Sequence, residues 1–435
     1  MNAAIGLLLT TAIAGAAASS LVAQNLAIKG DTVYTMAGAP VENGVVLIHD
    51  GKVERVGPAS QVAIPAGYTT LSAKIVTPGL VDAHTTVGLT GYLNTPGDQD
   101  QLERSAAIQP ELRALDAYDP QERLIEWVRS FGVTTMNTGH GPGALISGQT
   151  MIVKTVGHTA DEAAIVPEAM IAASLGAEGR GEQGKSPGTR GKEIAMLRAE
   201  FIKAQEAQKK LSKAESAAGS ASSKSGASGT TASADAAKPE KSGEAKLPDR
   251  DLKTEALIRV LKGELPLLVT AERARDVISA IRLANEFHFK LIIDSCAECA
   301  LVLDEVKASG YPVILHATMK RAAGETENIS FEDAAKLTAA GIPYALQSGF
   351  EGYVPKTRVI LWEAAEAAAN GLTFDQALAS ITINAAKLIG IGDRVGSLEP
   401  GKDGDVALYD GDPFEYTSHC LGTVINGKVV SSGKF

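Results

Sequence analysis

Between residues 77 and 392, short apolar runs alternate with longer stretches of helical periodicity. Gly79–His84, Val133–Thr138, Met170–Ala173, Leu267–Ala271, Leu291–Asp294, Val313–His316 and Tyr344–Gln347 read as strands. Residues 120–130, 192–213, 274–287, 297–309, 331–340, 357–370 and 374–389 read as helices. Asp119 and Pro120 supply a cap and a first-turn proline for the first helix. Strand–helix alternation is the pattern of parallel βα units. Seven such strands are visible, and a closed eight-stranded barrel needs one more.

The two ends of the chain have a different texture. Val45–Ile48 and Lys52–Val56 flank Asp50-Gly51, a hairpin signal. Asp405–Tyr409 and Thr423–Ile425 are strand-like, with turns at Glu399–Gly401 and Asn426-Gly427. Residues 25–76 and 393–435 therefore predict one small, β-sandwich-like domain built from both termini. Residues 216–247 carry almost no large apolar side chains. Burial there cannot offset the entropy of ordering, so a disordered insertion within the 77–392 unit is expected.

The N-terminus changes the picture of location. Ile5–Ala18 is apolar and rich in small residues, and Leu21–Gln24 resembles a cleavage region. Residues 1–24 read as a signal peptide, which implies a periplasmic or secreted mature chain without a transmembrane domain. The formal net charge of −10 excludes a nucleic-acid surface, because no basic run offsets it. Gly179–Ser186 matches the phosphate-binding pattern GxxxxGK[ST]. However, Pro187-Gly188 blocks a helix at the Lys-Ser, so the match is read as chance. Cys296 and Cys299 form a CxxC pair. The first expectation is two partly buried small residues; the alternative is a disulfide or reactive thiol in an oxidising compartment.

Residues 76–88, VTPGLVDAHTTVG, resemble the PGLIDAHxH strand that opens the amidohydrolase-superfamily barrel. Residues 261–277 (LKGELPLLVTAERARDV) and 281–287 (IRLANEF) are similar to imidazolonepropionase-like metal-dependent hydrolases. So are 381–390 (ITINAAKLIG), 394–406 (RVGSLEPGKDGDV), 410–413 (DGDP) and 424–430 (VINGKVV). The resemblance covers most of residues 25–435 outside the insertion. It implies an α/β fold: a (β/α)8, TIM-like barrel with the composite β-domain. It also implies hydrolysis of non-peptide C–N (amide) bonds by a water bound to one or two zinc-class divalent metals.

The metal positions do not carry over. His84 matches the first histidine of the HxH pair and is the expected metal ligand, but Thr86 stands at the second. Thr270 stands at the next strand's histidine, with Glu272 where a further histidine often sits. Ser295 falls, within one residue, at the following histidine, and Gly349 at the late-strand aspartate. Neutral hydroxyls are weak zinc ligands, and glycine has no side chain. A divalent metal is therefore expected to bind weakly or not at all.

Three histidines, His84, His140 and His316, fall at predicted strand C-termini, with Glu272 and Asp294 in similar register. His84, Glu272 and His316 are the candidate catalytic groups of a rewired site. His140 and Arg113 are candidate substrate contacts, Arg113 as a carboxylate clamp. Lys154 could face the same mouth. His49, His158, His288 and His419 read as structural or surface residues. Three functions follow: a weakly active or inactive amidohydrolase serving as partner to an active relative or to itself as a homo-oligomer; a rewired hydrolase; or a periplasmic binder of a small molecule.

Overall fold

The computed structural model describes residues 25–93, 95–181, 184–224, 250–350 and 359–433. The signal-peptide reading of residues 1–24 and most of the 216–247 insertion lie outside them. Strands β1 (Leu26–Val33), β2 (Val41–His49), β3 (Lys52–Pro58) and β4 (Thr69–Pro78) come from the N-terminal side. The barrel strands are β5 (Leu80–Thr85), β6 (Val133–Gly139), β7 (Ile146–Lys154), β8 (Ala164–Ser174), β9 (Leu267–Ala271), β10 (Leu291–Ser295), β11 (Val313–Leu315) and β12 (Tyr344–Leu346). The C-terminal side adds β13 (Val406–Tyr409), β14 (Cys420–Ile425) and β15 (Lys428–Ser432).

Seven strands form one sheet in the order β15-β14-β13-β4-β1-β2-β3, so both termini do share a domain. Asp50 and Gly51, both at positive φ (48° and 77°), make the β2–β3 turn; glycine adopts this conformation without cost, and Asp tolerates it. The other eight strands run in order from β5 to β12. A parallel bridge between Thr85 and Gly349 joins the two ends and closes the barrel. Val81, Ile152, Met170, Leu268, Ile292, Ile314 and Ala345 fill its interior against Ala385, Ala386 and Ile389.

The strand hidden in the sequence is β7, and it breaks the βα rule. It pairs antiparallel with both β6 and β8. A short hairpin replaces the expected helix, and Gly148 (φ 143°) makes the packing possible: a Cβ there would lie 2.3 Å from the His140 ring. Reversal of β7 also corrects the placing of Lys154. At the C-terminal end of an antiparallel strand, it lies away from the mouth. Its ammonium bonds Asp405 and, at 3.0 Å, Asp403 of the C-terminal segment.

Helix positions differ from expectation mainly at their ends. The first begins at Arg123, capped by Glu122, whose carboxylate accepts Leu124 N–H; Asp119 instead accepts Gln121 N–H in the preceding turn. Helix Arg190–Lys224 runs into the segment expected to be disordered. The 374–389 stretch is two helices, Phe374–Ser380 and Ile383–Leu388. Helix Leu252–Leu261 had no counterpart in the sequence reading. Among the described residues, no helix is long and apolar enough to cross a membrane.

Candidate functional site

The C-terminal ends of β5, β9, β10 and β12 converge on one buried carboxylate. Asp294 is the penultimate residue of β10 and points inward. Its Oδ1 accepts from His84 Nδ1 at 3.0 Å and from Gln347 Nε2 at 2.8 Å, and its Oδ2 accepts from Thr270 Oγ1 at 2.6 Å. Burial opposes the charge on Asp294, but His84 and the two neutral donors hold its pKa below the ordinary carboxylate range. Conversely, burial pulls the His84 pKa down, and the Asp294 charge more than compensates, leaving it raised. Asp82 accepts the backbone N–H groups of Ser348 and His84, yet burial pushes its pKa up to about 6.

A second carboxylate lies beside this cluster. Both oxygens of Glu272 accept from Ser295 Oγ at 2.8 Å, and one accepts Ala297 N–H at 3.3 Å. The Lys320 ammonium completes the set with an ion pair to Glu272, and lies 3.4 Å from Ser295 Oγ. Ser295 and Cys296 are consecutive non-glycine residues in the left-handed region (φ 69° and 62°). Such conformations are held only where the surroundings over-determine them. Here the chain curls around Glu272, and Cys296 and Cys299 are joined by a disulfide. The disulfide alternative therefore replaces the first reading of the CxxC pair as two unbonded residues.

The resulting cavity is small, about 30 Å³, and His84, Thr270, Asp294, Ser295, Lys320 and Gln347 are among its lining residues. His84 Nε2 is buried and has no hydrogen-bond partner. The Thr86 and Thr270 hydroxyls bond to protein neighbours: Thr86 accepts from Thr90 at 2.9 Å, and Thr270 donates to Asp294.

Of the candidates read from sequence, the fold brings His84 and Glu272 together at this mouth. His316 turns outward instead. Its Nε2 lies 3.2 Å from Asp333 and its Nδ1 3.0 Å from the Ala317 carbonyl, so it fastens β11 to helix Asp333–Ala340. His140 is buried beside Gly148, outside the cavity lining, with its pKa lowered by burial. Arg113 is an exposed surface residue clamped to Asp116 by bonds of 2.9 and 2.6 Å, so the carboxylate it grips belongs to its own loop. Nothing in the sequence pattern points to Lys320. It stands on the loop after β11, outside any motif spacing. The phosphate-loop match also fails as expected: Gly181 N–H bonds Pro187 O, and the next helix starts only at Arg190.

Comparison with known proteins agrees with this architecture. The Amidohydrolase family model matches residues 333–431. The structure superposes on an amidohydrolase from Thermotoga maritima MSB8 with a TM-score of 0.83 and 27% identity, covering 94% of this chain and 100% of that one. The chain belongs to the amidohydrolase superfamily. An imidazolonepropionase from Rhizorhabdus wittichii is 24% identical over 425 residues, covering 86% of this chain and 91% of that protein. Amidohydrolase tasK from Hapsidospora irregularis is 26% identical over 404 residues; this chain spans only 38% of its length. By family and fold this is an amidohydrolase-superfamily hydrolase.

The divalent metal expected in such a barrel does not fit the side chains present. Both Asp294 oxygens and both Glu272 oxygens are already engaged by protein donors, and Glu272 carries an ammonium. His84 Nε2 is the one site-facing ligand atom left without a partner among these groups. One imidazole does not make a zinc-class site, which needs three or four donors. Among the described residues, no three His, Cys, Asp or Glu side chains converge in metal-holding geometry.

Proposed function

We propose that this amidohydrolase-superfamily protein has exchanged the metal centre for a metal-free polar network and binds a small polar molecule at the barrel mouth, with weak or no metal-dependent amide hydrolysis. The observation that carries this reading is the saturation of Asp294 and Glu272 by His84, Thr270, Gln347, Ser295 and Lys320. A metal ion would have to displace several charge-assisted hydrogen bonds to enter. Metal occupancy of the purified chain, with the response of amide hydrolysis to added zinc or manganese, tests the proposal.

A second reading is favoured by one atom. His84 has Nδ1 bound to a carboxylate and Nε2 facing a cavity, the arrangement of an oriented acid–base imidazole. In that reading the mouth supports slow metal-independent hydrolysis that His84→Asn abolishes. Activity that is undiminished in this variant would contradict it.

We also propose that the chain is exported. The apolar N-terminal run and the cleavage-like Leu21–Gln24 support this, and the Cys296–Cys299 bond accords with an oxidising compartment. Intact-mass measurement of the protein from a cell-envelope or secreted fraction is expected to place the mature N-terminus near residue 25. A full-length chain retaining Met1 would overturn cleavage.

A further inference from the structure

We infer that the loops after β5 and β8 form a second binding site, for a small dianion with a phosphate or dicarboxylate head, and that Arg104, Arg180 and Lys185 are its cations. The site lies on the C-terminal side of the barrel, the side whose loops carry function in this architecture. It shares no lining residue with the mouth cavity, so it stands whether or not the mouth holds a metal.

Charge points to the ligand class. The cavity, about 320 Å³, falls within the range of small-molecule sites, and Arg104, Ser105, Arg180, Lys185, Ser186 and Met196 are among its lining residues. Its charged lining is of one sign among the described residues. The mouth cavity instead sets Asp294 beside Lys320, and the cavity bordered by Tyr34 and Tyr344 sets Asp375 beside Lys387. A cationic cleft is a local reversal in a chain of net charge −10, and a cleft of one sign concentrates ligands of the other. Two flanking carboxylates turn to backbone donors: Glu103 accepts Ser105 N–H at 2.6 Å, and Glu193 accepts Gly176 N–H at 2.9 Å. Glu193 meets Arg180 only at 3.6 Å.

The loop carrying Arg104 is ordered by a buried amide. Gln109 Nε2 donates to the Glu103 and Ala106 carbonyls, both at 3.1 Å, and its Oε1 accepts from Ser105 Oγ at 3.1 Å. Ile146 N–H to Ala107 O at 3.0 Å and Gln109 N–H to Ile146 O at 2.9 Å pin the loop to β7. Among the described residues, the Arg104 guanidinium has no hydrogen-bond or ion-pair partner. A fixed loop therefore presents a planar fork of N–H donors that the protein leaves unused, and such a fork takes phosphate or carboxylate oxygens two at a time.

The loop after β8 supplies the opposite wall. Glycine lets it fold back on the strand end, because a Cβ at Gly179 would lie 2.3 Å from the Ser174 carbonyl oxygen. Ser186 Oγ donates at 3.3 Å to Met196 Sδ, a weak acceptor that an anionic oxygen would displace. Gly181 N–H is taken by Pro187 O, so recognition here is by side chains and not by the backbone cradle of a P-loop.

Isothermal titration calorimetry of the full chain at low ionic strength tests this, with sodium phosphate and sodium succinate as probes and sodium chloride at matched ionic strength as reference. Saturable single-site binding of phosphate, succinate or both is expected, and a response to one probe alone names the head group. Arg104→Ala should weaken binding about tenfold, the loss of one charge-assisted hydrogen bond, and leave the Tm of the unliganded chain unchanged. Arg104→Lys keeps the charge but not the fork and should fall between. Arg113→Ala removes an exposed cation outside the cavity and should bind as the natural chain does. No saturable binding at millimolar probe, a response matched by chloride, or binding that Arg104→Ala leaves undiminished would overturn the inference. Binding lost in His84→Ala but kept in Arg104→Ala would place the anion at the mouth and overturn it equally.

Discussion

Lys154→Met is expected to destabilise the fold by about 3–5 kcal/mol, the range for removing one partner of a buried ion cluster. Lys154, Asp403 and Asp405 have side chains only 3%, 2% and 4% exposed, where β7 meets the C-terminal segment. Asp403 keeps Lys52 at 2.7 Å and Arg394 at 2.8 Å after the change. Asp405 keeps only the backbone N–H of Asn426, at 2.9 Å, among its recorded side-chain bonds. The larger share of the loss therefore falls on Asp405. The natural cluster also predicts a pH signature. Burial works against the Asp403 charge, but Lys154, Lys52 and Arg394 bring its pKa down to about 2. A carboxylate with a depressed folded pKa stabilises the protein above its unfolded value, about 3.9, and loses that contribution as pH falls toward 2. Chemical denaturation at pH 7 and between pH 4 and 2 checks both parts. A cost under about 1 kcal/mol, the range of surface pairs, would contradict the placing of Lys154 as a domain-joining cation.

Asp294→Ala is expected to cost a similar amount, about 3–5 kcal/mol, for a different reason. Its carboxylate collects His84, Thr270 and Gln347 from three other strands. Truncation strands three buried donors at once, each costing about 1–3 kcal/mol before relaxation. Asp294→Asn keeps the shape and isolates the charge. In the natural chain the Asp294 pKa is lowered, so its contribution is present above about pH 3.9 and declines as pH falls through the folded value. The His84 pKa is raised, so its contribution is complete below about pH 6.5 and declines as pH rises through the folded value. Together they predict greatest support between about pH 4 and 6.5. Tm measured against pH should lose both shoulders in Asp294→Asn. An unchanged profile would mean that the pair does not couple charge to folding.

These residues show how far the fold could be read in advance. The apolar runs of β9 through β12 stand out because those strands are wholly buried. Strand β7 is equally buried, yet its Ser147, Gly148, Gln149 and Thr150 interrupt the apolar run that would advertise it. Its antiparallel direction puts Lys154 at the end of the barrel opposite the mouth, against Asp403 and Asp405. Strand ends also limit what spacing can say about direction. Placing His84 and His316 at strand termini was correct, but only partner atoms decide that one faces inward and the other faces Asp333. Arg113 had a legible local answer, since Asp116 follows it by three residues. Lys320 had none: a long cation on a loop reaches its carboxylate through tertiary structure alone.

The substitutions at Thr86, Thr270, Ser295 and Gly349 gain meaning from the same geometry. Loss of ligands alone would leave buried carboxylates unbalanced. The chain instead supplies His84 to Asp294 and Lys320 to Glu272, so each of these two carboxylates has a cationic partner. On the proposed reading, this pairing stands in place of a metal centre.

The measurement that bears most directly on this account is metal content, by elemental mass spectrometry, of the natural chain purified without chelators. The account predicts far less than one equivalent of zinc, manganese or iron per chain. Near-stoichiometric metal that is lost on His84→Ala substitution would contradict it.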